Sequence, residues 1–257
     1  MADSKIVFEN ALTLPDDLQK DLAAQASTEH NREPDSTSTV ISTRGKKFRI
    51  GDDQLPDELL VVVAGVAFEN AWFDRAYDPN NTTPPACFAL ALSEDDMSFH
   101  ADSPVPQTKG NCHDCPHNQW DTGPSGKGKA CKNARRLILL AYGDDQAADE
   151  NLKTTAPAAL KVPPTSIKNW ASYSKAITGR YKRPTSSVVT KISFNPSVDF
   201  PQLQFELDKV LEDADDVRTV MARAEVVENM ALKPYNVSEF EPLKEKKAKK
   251  QRKSKMS

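Results

Sequence analysis

The segment that decides how this chain is organised reads Asn111-Cys-His-Asp-Cys-Pro-His-Asn-Gln-Trp120 and continues through Gly123-Pro-Ser-Gly-Lys-Gly-Lys-Ala-Cys131. It holds three of the four cysteines in the 257 residues, and the fourth, Cys87, lies upstream. A Cys-x-x-Cys pair with two further cysteines supplies the ligand count of a tetrahedral zinc site. We therefore interpret the rest of the chain as a scaffold around a small metal-binding insertion, at about residues 87–136.

Four side chains are predicted to hold a Zn²⁺ ion. Two intervening residues make a tight turn that points the sulfurs of Cys112 and Cys115 inward, and Cys131 follows a glycine-rich loop. Cys87 is the preferred fourth ligand, and three histidines are its substitutes: His117, His113 and His100. Four protein ligands would close the metal site, so the zinc would be structural. Free thiols and disulfides remain as alternatives.

The composition predicts one ordered core with polar ends. Hydrophobic residues make up 38% and charged residues 28% of the chain. We expect a flexible arm at residues 1–39, one domain at residues 40–235, and a disordered tail at residues 236–257. From Lys244 onward there are eight Lys or Arg and one acid, so the tail carries about +7 and the preceding residues about −10.

Location follows from what the sequence lacks. No apolar run reaches the roughly 18 residues that a membrane span needs, and the first residues do not resemble a secretion signal. We therefore expect a cytoplasmic protein with no membrane partner. A reducing cytoplasm favours metal ligation over disulfides for the cysteines.

The hydrophobic pattern predicts a mainly β protein. Short β-branched or alternating runs indicate strands, and two longer periodic segments, at about residues 167–178 and 217–232, indicate helices. The predicted strands cover residues 40–43, 46–50, 59–68, 87–92, 135–142, 158–162, 187–194 and 200–207. A β-barrel of about five strands with a helix across it, OB-fold-like, accounts for this order, with accessory α-helices and the small zinc-binding insertion.

Basic and aromatic residues are interleaved around the cysteines, as single-stranded nucleic acid binding requires. Aromatic faces stack on bases and cations contact phosphates. The predicted stacking residues are Trp72, Phe73 and Trp120. The predicted phosphate contacts are Lys46, Lys47, Arg49, Lys127, Lys129, Lys132, Arg135 and Arg136. The alternative interpretation is that the aromatic residues belong to the core and the cations only solvate the surface.

The sequence argues against catalysis. The glycine-rich loop matches part of a phosphate-binding loop, but Ala130 stands where a Mg²⁺-binding Ser or Thr is needed. A zinc deaminase would need a His-x-Glu motif, which the chain lacks. We therefore predict that the protein is not an enzyme.

The cysteine block resembles a family of phage-encoded single-stranded DNA-binding proteins with an inserted zinc site. The likeness extends over about residues 40–235 and includes the Asn70-Ala-Trp-Phe, Pro-Pro-Ala-Cys87-Phe and Lys168-Asn-Trp-Ala-Ser-Tyr motifs. It implies an OB-type barrel, Cys87 as the fourth ligand, and a role in phage DNA replication or recombination in the cytoplasm of the bacterial host. Many single-strand binders end in an acidic tail, whereas this chain ends in a basic one.

The predicted function is therefore sequence-tolerant binding of single-stranded DNA. The expected partners are single-stranded DNA and phage or host replication and recombination proteins, and self-association is a further expectation. The alternative from another class is a zinc-knuckle protein-interaction factor that modulates a host protein in transcription or defence.

Overall fold

The computed structural model describes residues 40–75, 83–108, 110–143 and 148–235, except for the side chain of Asp149. These residues all belong to the compact unit Thr39–Ser257. The predicted N-terminal arm and the predicted basic tail lie outside the described residues.

The described residues form strands and helices in a mainly β arrangement. The strands are β1 (Val40–Ser42), β2 (Arg49–Ile50), β3 (Asp53–Gln54), β4 (Leu59–Trp72), β5 (Cys87–Ala91), β6 (Lys132–Ala141), β7 (Ala158–Val162), β8 (Val188–Phe194) and β9 (Leu203–Val210). The helices are α1 (Ala148–Thr154), α2 (Pro164–Tyr181), α3 (Ala214–Ala222) and α4 (Ala224–Ala231). None of these helices is long and apolar enough to cross a bilayer.

One curled sheet, a half-barrel, contains all nine described strands. The order is β3-β2-β1-β7-β6-β4-β8-β9, and β5 also pairs with β4. Because the described strands leave β3 and β9 unpaired with each other, this order does not close a barrel. The mainly β class is confirmed, whereas the OB-fold and its zinc insertion stay predictions.

Strand β4 is the centre of the sheet because its continuous β-branched sequence is buried on both faces. It pairs antiparallel with β6 along most of its length. On its other edge, residues 59–61 pair with β8 and residues 68–72 pair with β5. Two strands therefore share one edge of β4, each at a different end.

The two faces of the sheet are covered by different helices. Successive residues of β6 point to opposite faces: Leu137 and Leu139 belong to the cluster that includes Trp170 of α2, whereas Ile138 packs with Val227 of α4. Residues of α1 and α3 also pack on the face that α4 covers. The core is therefore split into two layers by the sheet.

Gly65 in β4 allows α4 to approach closely. The register of β4 against β6 shifts beside this residue. A Cβ atom there would lie 2.4 Å from Cγ1 of Val227, which is far inside van der Waals contact. Only glycine leaves room for the helix at this point.

The element boundaries differ from the sequence expectations in local detail. The single helix predicted at residues 217–232 is two helices that meet at Arg223, whose guanidinium donates to the carbonyl of Leu152 at 2.8 Å. The strand predicted at residues 46–50 is shorter in the structure, Arg49–Ile50, and it follows a 3₁₀ turn, Arg44–Lys46, with Gly45 at a φ of 64°. Helix α1, Ala148–Thr154, lies where the sequence pattern predicted neither a helix nor a strand.

Candidate functional site

The four cysteines lie together at one end of the sheet. Cys87 begins β5 opposite Trp72, the last residue of β4, and Cys131 comes directly before β6. We call this end, where β4 ends and β5 and β6 begin, the cysteine end. All four cysteines are buried and line one cavity of about 20 Å³, enough for a single water molecule or ion. The structure thus brings Cys87 to the three cysteines of the loop.

Backbone hydrogen bonds shape the loop around the cavity. The N–H of Cys115 donates to the carbonyl of Cys112 at 3.4 Å, and the side-chain amide of Asn118 donates to the same carbonyl at 2.8 Å. The N–H of Cys131 donates to the carbonyl of His117 at 2.7 Å. The Cys-x-x-Cys turn and the returning chain are therefore held side by side.

A chain of side-chain amides ties this loop to the sheet. Nδ2 of Asn133, on β6, donates to Oδ1 of Asn118 in the loop at 2.9 Å and also to Oδ1 of Asn70 on β4. The Asn70 side chain in turn forms a hydrogen bond with Cys112. Buried amides need such partners, so the position of the loop is coupled to the register of β4 and β6.

Burial controls the protonation of two of the thiols. Burial raises the pKa of Cys112 to about 11, and the neighbouring Cys87 and Cys115 add to the rise. Burial also raises the pKa of Cys131 to about 12, with the other three cysteines contributing in the same direction. A metal ion bound here would have to displace protons from both thiols.

The residues fit zinc in donor type but not in spacing. Four thiols around one small cavity are the donor set of a structural Zn²⁺ site. However, no three His, Cys, Asp or Glu side chains in the described ranges form a group that could hold a metal ion. Binding would therefore require the sulfurs to move toward a common centre. The zinc site stays a prediction, supported by the shared cavity.

Trp120 and three lysines lie on the same loop or at its junction with β6; two of the lysines are exposed, whereas Lys129 is half-buried and donates to Oδ1 of Asn118 at 3.4 Å. The side chain of Trp120 is 74% exposed, and the ammonium of Lys129 lies 5.9 Å from the centre of its ring. Lys127 and Lys132, which are close to Lys129 in the sequence, are exposed. We call Trp120, Lys127, Lys129 and Lys132 the loop surface.

Glycines shape the segment that carries these lysines. The N–H of Gly123 donates to the carbonyl of Gly128 at 3.1 Å, which closes the loop on itself. Gly126 and Gly128 have φ values of 67° and 68°, a conformation that favours glycine. Lys127 lies between these two glycines and is exposed.

The other two predicted stacking residues are less accessible. The Trp72 ring stacks on the His117 imidazole with 4.4 Å between ring centres and is only half-buried. Phe73 is 39% exposed. Trp120 is therefore the most exposed of the three predicted aromatic residues.

The predicted cations near the start of the domain lie apart from the loop surface. Strands β1 and β7 separate β2 from β6 in the sheet. The Lys46 ammonium donates to the carbonyls of Asn195 at 2.9 Å and Val198 at 2.8 Å, so it serves the fold. Lys47 and Arg49 are exposed but are not brought beside Trp120.

The two arginines predicted to contact phosphates also have internal partners. The Arg135 guanidinium lies 3.9 Å from the centre of the Phe68 ring, and its partial burial lowers its pKa. The Arg136 side chain is only 12% exposed, and its Nε donates to Glu69 at 2.8 Å. We therefore leave Arg135 and Arg136 out of the loop surface.

Glu69 is the centre of a buried charge cluster that the sequence prediction missed. Its side chain is 2% exposed and contacts Arg136, the Lys161 ammonium and the Tyr235 hydroxyl. Burial alone would raise its pKa, but Lys161 and Arg136 outweigh this and lower it to about 2. Burial and the Glu69 charge raise the pKa of Tyr235 to about 12. The available signal was a lone acid inside an otherwise apolar strand, which demands a buried partner.

Comparisons of the chain with protein-family models, with curated proteins and with solved structures gave no match. The resemblance to phage single-stranded DNA-binding proteins therefore stays a prediction.

Proposed function

We propose that this protein binds single-stranded DNA with little sequence preference through the loop surface at the cysteine end of the sheet. The observation that carries the proposal is the Trp120 ring, 74% exposed with the Lys129 ammonium 5.9 Å from its centre. The indole supplies a flat apolar face, and the ammonium supplies a positive charge next to it. These are the elements that a base and its phosphate would contact.

The chemistry of this surface favours sequence tolerance. Every base has a π-face, and stacking on one aromatic side chain contributes roughly 1–3 kcal/mol per base. The three lysines would contact the phosphate chain as point charges, which adds affinity without reading bases. The surface therefore suits a binder of extended single strands.

Zinc enters the proposal as a structural ion. Cys87, Cys112, Cys115 and Cys131 would hold it, and it would stabilise the loop that presents Trp120. We also propose that the curled sheet is a variant of an OB-type barrel. The protein would act in phage replication or recombination in the host cytoplasm. The mainly β half-barrel is compatible with them.

The test is a fluorescence titration with oligo-dT at low salt. Trp120→Ala is expected to weaken binding about 5- to 150-fold because one stacking platform is lost. The matched control is Phe200→Ala, which removes another exposed aromatic side chain, 46% exposed, from the connection before β9. It should leave the Kd unchanged. Absence of binding by the unaltered protein would rule out the proposal.

Metal analysis tests the zinc part separately. We expect about one zinc per chain, loss of the metal in Cys115→Ser, and loss of folded signal on chelation. Less than half an equivalent of zinc, together with no effect of a chelator on folding, would contradict it. A nuclease-resistant complex with a host protein, without any DNA binding, would favour the interaction-factor alternative.

A further inference from the structure

Helix α2 is fixed to the sheet through one of its sides. Trp170 and Tyr173 are buried in the core cluster on that face of the sheet. The Tyr173 hydroxyl forms a hydrogen bond with the Thr190 hydroxyl at 2.6 Å. Near the start of the helix, the N–H of Leu203 donates to the hydroxyl of Ser166 at 2.9 Å. The other side of α2 therefore faces away from the sheet at a fixed position.

The side of α2 that faces away from the sheet is basic. Lys168 and Lys175 are exposed and lie two turns apart, about 10 Å along the helix axis. Arg180 and Lys182 are exposed at the C-terminal end of the helix. We call these four residues the helix surface. Residues 151–198 contain eight Lys or Arg and no Asp or Glu, so the helix and the chain on either side of it provide no neutralising carboxylate.

The lysines of the helix surface differ from the cations that serve the fold. On the sheet, Arg136 and Lys161 both pair with Glu69. By contrast, within the part of the chain that the structure describes, none of the three lysines of the helix surface has an ion-pair or hydrogen-bond partner for its ammonium group. Contacts among the described residues therefore do not account for these charges.

Helix stability does not account for all of them either. The helix dipole favours acids in the first turn and cations in the last. Helix α3 follows this rule with Asp215 and Asp216 in its first turn, whereas α2 has no acid in its first turn. The dipole therefore accounts for Arg180, in the last turn, but not for Lys168 or Lys175.

The chemistry of the helix surface fits a phosphate chain better than a lipid bilayer. A helix that lies on a bilayer inserts an apolar face between the lipids. The apolar residues of α2 are already buried against the sheet, Trp170 and Ile177 among them. A row of cations without partners attracts a linear polyanion and needs no apolar surface to do so.

We propose that the helix surface is a second contact for the phosphate chain of single-stranded DNA. This inference rests on the proposed function. A strand long enough to reach both surfaces binds the second one intramolecularly, which raises its affinity without a new base contact. Because lysines contact phosphates as point charges, the helix surface adds affinity without reading the sequence.

The experiment measures the affinity of the full-length protein for oligo-dT at several salt concentrations. The oligonucleotide has about 20 nucleotides, more than the about 16 at the upper end of the site sizes of one OB domain. The helix variant is Lys168→Gln with Lys175→Gln. The matched control is Lys153→Gln with Lys233→Gln, which removes two exposed charges from α1 and from the residues after α4, on the other face of the sheet.

The helix variant should flatten the slope of log K against log salt by about 1.4, or about 0.7 per charge. The control should leave the slope unchanged. If the helix variant has the same slope as the control, while Trp120→Ala weakens binding, only the helix contact is overturned. If the helix variant flattens the slope and Trp120→Ala binds as tightly as the unaltered protein, the helix contact stands and the loop surface fails. If the unaltered protein does not bind oligo-dT, both proposals fail.

Discussion

Two neighbouring regions of the chain use their basic residues in opposite ways. Lys127 and Lys132, in the loop and at its junction with β6, face solvent. Arg136, four residues further on, is almost fully buried against Glu69. The difference shows that a run of cations in a sequence does not define a binding surface. Lys127 and Lys132 lie before or at the start of β6 and face solvent, whereas Arg136 lies within β6 and pairs with Glu69.

Removal of the buried Glu69 carboxylate is expected to have the largest effect on stability. Glu69→Gln leaves Arg136 and Lys161 without their anion in a largely buried site. We expect a loss of about 3 kcal/mol in the free energy of unfolding, measured by urea denaturation. The matched control is Glu206→Gln, whose ion pair with Lys191 is 2.9 Å long but 58% exposed on the acid. Solvent screens such a pair, so the control should be nearly neutral. Equal effects would contradict the contrast.

Substitution of Gly65 tests how tightly helix α4 packs on its face of the sheet. In Gly65→Ala the new methyl group would meet Val227 at 2.4 Å, so α4 must shift and stability should fall by about 2 kcal/mol. Gly179→Ala, on α2, meets nothing within 4 Å and should stabilise by about 0.5–1 kcal/mol. Thermal unfolding of both variants measures the difference. A neutral Gly65→Ala would mean that α4 is not held against β4.

The pH dependence of stability reports the same carboxylate. The pKa of Glu69 is lowered to about 2 in the folded protein from 4.5. Its contribution is therefore complete above pH 4.5 and is lost as the pH falls toward 2. The difference in unfolding free energy between the unaltered protein and Glu69→Gln should shrink by about 1.4 kcal/mol between pH 6 and pH 3.5. A constant difference over this range would show that Glu69 titrates normally.

The smallest effects are expected for Lys46 and Lys127, which the sequence analysis both predicted to contact phosphates. Lys46→Gln removes two hydrogen bonds to carbonyls and should cost about 1 kcal/mol of stability, with no change in the salt dependence of DNA binding. Lys127→Gln should do the reverse, with unchanged stability and a salt slope flatter by about 0.7. Urea denaturation and oligo-dT titration measure the two quantities. The same response from both variants would remove the distinction.

Local patterns were enough to predict the main elements of the fold. The continuous β-branched run at residues 59–68 became the central strand β4 because only a strand buried on both faces accommodates it. The helix expected at residues 167–178 became α2, longer by one turn or less at each end. The break at Arg223 was not predictable, because it depends on a hydrogen bond to Leu152, a residue distant in sequence.

The sequence singled out the cysteines that line the cavity but not the amides that hold their loop in place. The Cys-x-x-Cys spacing is local, and it correctly grouped Cys112 with Cys115 in one buried turn. That Cys87 lines the same cavity depends on the pairing of β4 with β5. The amides of Asn70 and Asn133, which hold the loop to the sheet, gave no sequence signal because each becomes useful only when its strand is paired.

The sequence by itself determined which chemical groups this protein has: four thiols, a segment rich in glycine and lysine, and a basic C-terminal segment. Only the tertiary structure decided which cations face solvent and which neutralise Glu69. The physical reason is that burial and ion pairing depend on neighbours brought together by strand pairing. Arg136, Lys161 and Tyr235 meet one carboxylate although 166 residues separate Tyr235 from Glu69 along the chain.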